Sequence, residues 1–324
     1  MSDAVVVEAA DLSKVYPARG DVPEFRAVDR IGFELRRRET FGFLGPNGAG
    51  KSTTMRMIAA TSPRSGGVLR VLGMDPSTHG PAIRARLGVV PQDDALDREL
   101  TVWENLYIYG RYFGLGRGPI RQRSAELLEF AQLTEKSDSP VESLSGGMRR
   151  RLTIARSLIN NPDMVLLDEP TTGLDPQARH VLWDRLYRLK EDGVTLLLTT
   201  HYMDEAEQLC DRLMIIDHGR IVAQGTPREL IAAHVTREVL EVRFPLDVRE
   251  AAAVKLRASI FGGDGGGAGP RVELLPDRVL VYADDGEGAL AAVHLMGLVP
   301  VTALVRRATL EDVFLKLTGR SLTD

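Results

Sequence analysis

An eight-residue segment near the N-terminus has the composition of a phosphate-binding loop. Residues 45–52 are G-P-N-G-A-G-K-S. Glycines let the backbone surround a phosphate with N–H groups, and a following helix adds a favourable dipole. Lys51 can reach the terminal phosphates of a nucleotide, and the Ser52 hydroxyl can bind Mg²⁺. The apolar strand FGFL before the segment and the helix TTMRMIAA after it favour this interpretation over a flexible glycine-rich turn.

Two carboxylates follow an apolar segment further along the chain. Residues 164–167 (MVLL) predict a buried strand, and Asp168 and Glu169 come directly after it. In open α/β sheets, ligands bind beyond the carboxyl ends of the strands. There Asp168 could hold Mg²⁺ through water, and Glu169 could act as the general base for an attacking water. A solvated acidic pair is the alternative for this segment taken alone.

A second candidate anion site lies between these two segments. Residues 144–148 are L-S-G-G-M, and the helical pattern RRRLTIARSLI follows them. A serine and two glycines at a helix N-terminus offer a hydroxyl and free N–H groups to an anion. One chain therefore carries two phosphate-binding elements.

In combination, these motifs resemble those of the ATP-binding subunit of an ATP-binding cassette (ABC) transporter, in the same order over about residues 4–232. The resemblance implies a P-loop NTPase core that binds ATP and Mg²⁺. It also implies that Tyr16 stacks on adenine and that Gln92 senses Mg²⁺ and contacts a membrane partner. Asp175 corresponds to the loop that links the two sites, and His201 to the histidine that contacts the γ-phosphate. Taken alone, Tyr16 would be a strand-edge aromatic and His201 a capping or core histidine.

The resemblance further implies a head-to-tail pair of identical chains with ATP held at two sites. The signature residues of each site come from the opposite chain, namely Ser145, Gly146 and Gly147. Catalysis is assigned to Lys51, Glu169 and His201, and Mg²⁺ binding to Ser52, Gln92 and Asp168. The expected ATP-binding residues are Tyr16, Gly45, Pro46, Asn47, Gly48, Ala49, Gly50, Lys51, Ser52, Thr53 and Gln92.

The signature region departs from the usual pattern of the family. Met148 stands where the family has glutamine, and three arginines follow it at 149–151. This variant, and the tail of the chain, resemble the ATPases of drug-resistance and nodulation-factor exporters. We interpret the arginine run as a solvated or interface face of the helix rather than as a nucleic-acid-binding patch.

Alternating strand and helix patterns predict an α/β domain with a largely parallel sheet over residues 1–235. Residues 92–160 are long and strand-poor, and predict a helical subdomain inserted into this core. The predicted strands lie at 4–8, 40–44, 87–90, 164–167, 194–198 and 213–216, and a helix spans 176–190.

A different pattern begins at residue 236 and predicts an accessory α+β domain over 236–324. Its order of strand, helix, two strands, helix and strand is that of a small ferredoxin-like module. The last of these strands is predicted at 299–305, His294 is expected in the core, and the glycine-rich segment 261–270 is expected to be a mobile loop. From the resemblance of the tail we expect a role in dimerisation or in assembly with the membrane subunit.

Composition excludes several classes of protein. The 324 residues carry 41 Lys and Arg against 45 Asp and Glu, which argues against a broad nucleic-acid-binding surface. The single cysteine, Cys210, is expected to be buried. The N-terminus lacks the features of a signal peptide, and no apolar run reaches the ~18 residues of a membrane span. With the resemblance, this predicts a peripheral protein at the cytoplasmic face of the cell membrane, bound to polytopic permease subunits.

The predicted function is ATP hydrolysis that powers the efflux of a drug-like or lipid- or saccharide-containing cargo through separate membrane subunits. A non-transport ABC ATPase acting on DNA or ribosomes is the alternative. DNA-associated members carry long heptad arms between the two phosphate motifs, whereas only 93 positions separate Ser52 from Ser145 here. Ribosome-associated members normally carry two cassettes, and this chain has no such repeat. A regulatory module would be expected to lack Lys51 or Glu169.

Overall fold

The computed structural model describes residues 4–18, 20, 23–260 and 270–319. The chain forms two compact units, Met1–Gln224 and Gly225–Asp324. Helix Pro227–His234 falls in the second unit, where it contacts helix Leu310–Thr318. The domain boundary after residue 235 stays a prediction.

Strands and helices alternate through the first unit. Its strands are β1 (Val5–Tyr16), β2 (Phe25–Arg36), β3 (Thr40–Leu44), β4 (Gly66–Val71), β5 (Leu87–Val90), β6 (Met164–Asp168), β7 (Thr195–Thr200), β8 (Arg212–Asp217) and β9 (Arg220–Gly225), which ends at the boundary. Its helices are α1 (Lys51–Ile58), α2 (Pro76–Arg84), α3 (Val102–Tyr112), α4 (Arg117–Ala131), α5 (Gly146–Ser157), α6 (Pro176–Glu191) and α7 (Met203–Leu209), with 3₁₀ turns at Thr134–Lys136 and Val141–Ser143.

A six-stranded sheet in the order β5-β6-β7-β3-β8-β9 forms the centre of this unit. Four neighbouring pairs of this sheet are parallel: β5 with β6, β6 with β7, β7 with β3, and β3 with β8. Every residue of β3 and β7 is buried, as expected for strands covered on both faces. The predicted α/β fold class is therefore confirmed. Cys210 is buried beside this sheet, where an added Cβ at Gly42 would lie 2.6 Å from its sulfur.

An antiparallel sheet in the order β2-β1-β4 was not predicted from the sequence. β1 was expected to end at residue 8 but continues to Tyr16, and β2 and β4 were missed. β2 has no continuous apolar run, since buried and exposed residues alternate over Arg30–Arg36 as expected for a half-buried strand. Phe33 of β2 packs against Phe41 and Phe43 of β3, with centroid distances of 6.0 and 5.3 Å, and joins the two sheets in one core.

Residues 92–160 contain α3, α4 and α5 and no strand, in agreement with the helix-rich content predicted for this segment; its bounds as a subdomain stay a prediction. A capping box between Thr101 and Glu104 begins α3. Ser145 caps α5, because its hydroxyl oxygen accepts the Met148 N–H at 3.3 Å. No helix of the described residues is long and apolar enough to cross a membrane.

The second unit begins with α8 (Pro227–His234) and continues through β10 (Glu238–Arg243), α9 (Leu246–Ile260), β11 (Arg271–Leu274), β12 (Val279–Ala283), α10 (Gly286–Leu295), β13 (Thr302–Arg307) and α11 (Leu310–Thr318). Its strands form an antiparallel sheet in the order β11-β12-β10-β13. This order, with helices after β10 and β12, confirms the ferredoxin-like prediction.

Three expectations for the second unit need comment. His294 is exposed, so its predicted core position is wrong: Ala289 and Val293 form the buried face of α10, and His294 turns away from it. The strand predicted at 299–305 begins only at Thr302. The expected mobile loop lies, except for its last residue, outside the described residues.

Candidate functional site

The segment between β3 and α1 has the backbone of an anion-binding loop. Gly48 and Gly50 have φ values of 81° and 106°, which favour glycine. A Cβ on Gly50 would lie 2.4 Å from the Ala27 carbonyl oxygen, so no larger residue fits there. No side chain caps the N-terminus of α1, which leaves the dipole of that helix directed at the loop.

A cavity of about 350 Å³ lies against this loop. It is lined by Phe25, Ala27, Pro46, Asn47, Gly48, Ala49, Gly50, Lys51, Ser52, Thr53, Gln92 and Glu169. The structure thus brings most of the predicted ATP-binding residues to one cavity. Tyr16 is absent from its lining and lies, 38% exposed, at the end of β1. Phe25, which the sequence analysis missed, pairs with Tyr16 across β1 and β2 and does line the cavity.

Lys51 lies between the loop and the carboxyl end of β6, where it contacts Gly45, Pro46 and Glu169. Its side chain is 4% exposed, and Nζ donates to the carbonyl oxygens of Gly45 at 2.6 Å and Pro46 at 3.0 Å. Glu169 Oε1 lies 3.5 Å from Nζ. Burial lowers the pKa of the Lys51 ammonium, and the Glu169 charge opposes that effect. An anion in the cavity would stabilise the charged form further.

Asp168 lies at the carboxyl end of β6, next to the loop. Its Oδ1 accepts the Ser52 hydroxyl at 3.0 Å and the Thr199 hydroxyl at 2.5 Å. Thr199 Oγ1 also accepts the Glu169 N–H at 3.0 Å. Thr199 therefore positions both acidic residues, and the sequence analysis did not find it. The signal for it was the polar end of the apolar run TLLLTT.

Glu169 is the meeting point of the predicted catalytic side chains. Its carboxylate is 5% exposed, and Oε2 accepts the Gln92 amide at 3.3 Å and the Thr172 hydroxyl at 3.1 Å. His201 Nδ1 lies 3.3 Å from the same oxygen. The backbone of Glu169 has φ 46°, in the left-handed region that non-glycine residues adopt uncommonly.

The oxygen donors at this site suit Mg²⁺. Ser52, Gln92 and Asp168 provide a hydroxyl, an amide and a carboxylate, which are hard ligands. Among the described residues there is no group of three or more His, Cys, Asp or Glu that could hold a metal ion without help. A single carboxylate with hydroxyl and amide donors is a donor set that suits Mg²⁺, which is commonly bound by one or two carboxylates together with substrate phosphates.

The signature residues and Asp175 lie outside the cavity lining. Ser145 and Gly146 are exposed at the start of α5, and Asp175 caps α6 by accepting the Ala178 N–H at 2.9 Å. A Cβ on Gly147 would lie 3.0 Å from Ala178, so the two helix starts are adjacent. They form a second cluster, separate from the phosphate loop.

The arginine run does not form one solvated face. Arg150 is 6% exposed and donates its hydrogen bonds inside the unit. Arg149 pairs with Asp94 at 3.1 Å, and Arg151 donates to the Ala131 carbonyl oxygen at 2.8 Å. The interpretation as a solvated or interface face is therefore wrong for Arg150, because the start of α5 points this side chain at the carboxyl ends of β5 and β6.

Comparisons with known proteins agree with this geometry. The sequence profile described as ABC transporter matches residues 28–172, and that of the nodulation factor export protein NodI, C-terminal domain, matches 260–319. A Nod factor export ATP-binding protein I of Ralstonia nicotianae is 48% identical over 93% of this chain and 92% of its own length. That of Sinorhizobium fredii is 44% identical, covering 99% and 88%.

A solved structure extends the comparison to the fold. A dimeric ATP-binding cassette in a post-hydrolysis state, bound to ADP and phosphate, is 26% identical with a TM-score of 0.62. The match covers 68% of this chain and 98% of that one. The chain is therefore of the class of ATP-binding ATPases of the P-loop fold. It belongs to the ABC transporter family, within the group of the Nod factor export ATP-binding proteins.

Proposed function

We propose that this chain is the ATP-hydrolysing subunit of an exporter and works at the cytoplasmic face of a membrane. The observation that carries the proposal is the convergence of Lys51, Gln92 and His201 on the carboxylate of Glu169, beside the phosphate loop. The family supports a saccharide-containing amphipathic cargo, since the relatives are named for Nod factor export.

ATP enters the cavity with its phosphates in the loop between β3 and α1. Backbone N–H groups and the dipole of α1 hold the phosphates, and Lys51 exchanges its two carbonyl acceptors for phosphate oxygens. Tyr16 and its cross-strand neighbour Phe25 lie on the β1–β2 side, where the adenine would stack. Asn47 and Thr53 complete the lining.

Hydrolysis follows from the placement of Glu169. A water aligned with the γ-phosphorus loses its proton to this carboxylate as its oxygen attacks, and the bond to the bridging oxygen of ADP breaks. His201 and Gln92 contact the Glu169 carboxylate and would keep it aligned with the γ-phosphate. Ser52, Gln92 and Asp168 would hold Mg²⁺, which supplies charge neutralisation on the phosphates.

A second copy of the chain completes each site. Ser145, Gly146 and Gly147 lie outside their own chain's phosphate cavity and are free to contact the ATP of the partner chain. Asp175, adjacent to them, would link the two sites. The dimeric state of the solved cassette supports this arrangement.

Membrane-spanning subunits would dock beside the Gln92 loop. A cavity of about 750 Å³ opens there between α1, α2 and α3, with Gln92, Asp93, Tyr109, Tyr112 and Phe113 in its lining. Tyr112 is 79% exposed at its rim. Such an apolar groove with polar groups suits a short helix of a partner. Its contact with Gln92 would connect transport to the site of hydrolysis.

Substitution of the general base tests the enzymatic part. In purified full chain, Glu169→Gln should lower kcat at least ~100-fold and leave ATP binding intact, since the isosteric amide cannot accept the proton. The exposed Glu135→Gln is the matched control and should retain wild-type turnover. A Glu169→Gln chain that turns over ATP as fast as the control would exclude the assignment.

Co-purification tests the transport part. A Glu169→Gln chain tagged at the N-terminus is isolated from detergent-solubilised native membranes, and its companions are identified by mass spectrometry. A stoichiometric polytopic membrane protein is the expected result. Recovery of ribosomes or nucleic acid without such a protein would support the alternative, a non-transport ATPase.

A further inference from the structure

Arg150 occupies an unusual position in the first unit. Its guanidinium is almost fully buried and lies between the carboxyl ends of β5 and β6. Nε donates to the Pro170 carbonyl oxygen at 2.7 Å. One terminal nitrogen donates to the carbonyl oxygens of Asp168 and Glu169 at 3.0 and 3.1 Å. Arg150 thus grips the backbone that carries both acidic residues.

The other terminal nitrogen binds the backbone of the loop that carries Gln92. It donates to the carbonyl oxygens of Pro91 and of Gln92, the latter at 3.1 Å. A guanidinium has five N–H donors, and these contacts make five hydrogen bonds. All five acceptors belong to two short backbone segments, 91–92 and 168–170.

The position of these segments explains the need for such a side chain. β5 and β6 pair in parallel from Leu87–Met164 to Val90–Leu167, and the pairing ends there. The next residues along the two strands are those whose carbonyls Arg150 binds. Two diverging strand ends would leave buried carbonyl groups without partners, which is costly. The guanidinium fills the gap and links the strand ends.

The rest of α5 reinforces the same connection. Arg149 Nε pairs with Asp94 Oδ2 at 3.1 Å, and Arg156 donates to the Ala95 carbonyl oxygen at 2.5 Å. α5 therefore holds the loop at residues 91–95 through three arginines. Ser145 caps the N-terminus of the same helix. α5 therefore connects the signature motif to the loop at residues 91–95 and to the end of β6.

Charge does not explain the contact by itself. Burial lowers the pKa of Arg150 to about 10, and nearby carboxylates, Asp168 among them, oppose that effect. The side chain stays cationic at neutral pH, yet its hydrogen bonds go to backbone oxygens. The Asp168 and Glu169 carboxylates remain available for other partners.

We propose that Arg150 is a positioning residue of the ATPase that holds the Gln92 loop against the Asp168–Glu169 strand end. This keeps the Gln92 amide 3.3 Å from Glu169, beside a cavity that Gln92 and Asp168 both line. The inference rests on the proposed function, because it assigns Arg150 a role in that same reaction. Lysine cannot replace the planar fork, since it has three donors around one point.

Kinetics of Arg150→Met, Arg150→Lys and the control Arg151→Met test the inference in purified full chain. Arg151 is the next residue on α5 and donates to Ala131 and Gln132, so its loss should change neither rate nor Mg²⁺ dependence. Arg150→Met should lower kcat about 10–100-fold and raise the Mg²⁺ concentration for half-maximal rate, as expected for residues that orient metal ligands. The affinity for ATP without Mg²⁺ should stay within about three-fold of wild type.

Arg150→Lys should fold and give an intermediate loss, and it decides the question if Arg150→Met does not fold. Rates are expressed per bound nucleotide, so a mere loss of folded protein leaves them unchanged. Wild-type kcat and Mg²⁺ dependence in a folded Arg150 variant would overturn the inference. If wild type itself does not hydrolyse ATP, or Glu169→Gln has no effect, the proposed function fails instead.

Discussion

Each of the two units contains an arginine at the centre of a hydrogen-bond network, buried in the first unit and 24% exposed in the second, and the acceptors differ. Arg150 in the first unit donates to backbone carbonyls. Arg306 in the second unit donates to Asp312 Oδ2 at 2.7 Å, to Asp312 Oδ1 at 2.9 Å and to Glu241 Oε1 at 2.6 Å. Where the arginine donates its hydrogen bonds to carboxylates, it neutralises their charge and fixes their geometry. Where it donates to backbone carbonyl oxygens, the nearby carboxylates remain available for reaction.

The network of the second unit fastens the last helix to the sheet. Asp312 is 1% exposed and also accepts the Tyr282 hydroxyl at 3.1 Å and the Thr309 N–H at 2.8 Å. Burial acts to raise the pKa of Asp312, but the hydrogen bonds and charge of Arg306 outweigh it and lower the pKa. The whole arrangement stabilises the charged form, as in a structural ion pair. It leaves Asp312 no capacity for chemistry.

Asp312→Asn is expected to have the largest effect on stability. Arg306 would keep its ion pair with Glu241 but lose the charge of the buried Asp312 carboxylate, and the loss of such charge-assisted hydrogen bonds costs about 1.5–3 kcal/mol. Hydrogen exchange of the intact chain should show this as lost protection in α11 and β12, with the first unit unchanged. Asp277→Asn is the control, since its pairs with Arg243 and Arg278 are half exposed and worth about 0–1 kcal/mol.

Acid should remove a smaller part of the same stabilisation. The pKa of Asp312 lies below its ordinary value of 3.8, so its contribution is complete above about pH 4 and is lost as pH falls further. The difference in α11 protection between wild type and Asp312→Asn should therefore shrink below about pH 4. A difference that stays constant down to pH 2 would show that shape, rather than charge, holds the helix.

Glu205→Gln should have the smallest effect, although Glu205 is, at 0% exposure, the most buried of the acidic residues that the structure describes in the first unit. Burial raises its pKa, and the Trp183 indole N–H donates to it at 3.3 Å. A raised pKa means that folding favours the protonated form, so wild type loses stability as pH rises above 4.5 and the glutamine variant does not. The free energies of unfolding of wild type and Glu205→Gln, measured with urea and followed by tryptophan fluorescence, should differ by less than about 1 kcal/mol at pH 5.

That fluorescence reports the first unit, because Trp103 and Trp183 are the two tryptophans of the chain. Between pH 5 and pH 8, the stability of Glu205→Gln relative to wild type should increase. A loss of more than about 2 kcal/mol at every pH would mean that Glu205 is charged and paired like Asp312. The contrast between the two units would then fail.

Elements with short-range signals were predicted well. The strands at 40–44 and 87–90 have the predicted bounds, and the helix predicted at 176–190 is α6 with one further residue. Continuous apolar runs and a proline after a capping aspartate mark these elements locally. β2, β4 and β9 lack the continuous apolar run that marks β3 and β5, because each has an exposed face. The second half of β2 does alternate apolar and polar residues, which is the pattern of a half-buried strand, so its sequence carried a usable signal.

The sequence by itself determined the chemical groups of the site, because the phosphate loop, the acidic strand end and the signature motif each function within a few consecutive residues. Lys51 could be recognised from its own segment, and Asp168 and Glu169 from theirs once it was combined with the phosphate loop. Only the tertiary structure decided that Thr199, Phe25 and Arg150 belong with them. Their positions depend on the neighbours β5-β6-β7 and β1-β2, and strand order is set by packing over the whole unit rather than by local sequence.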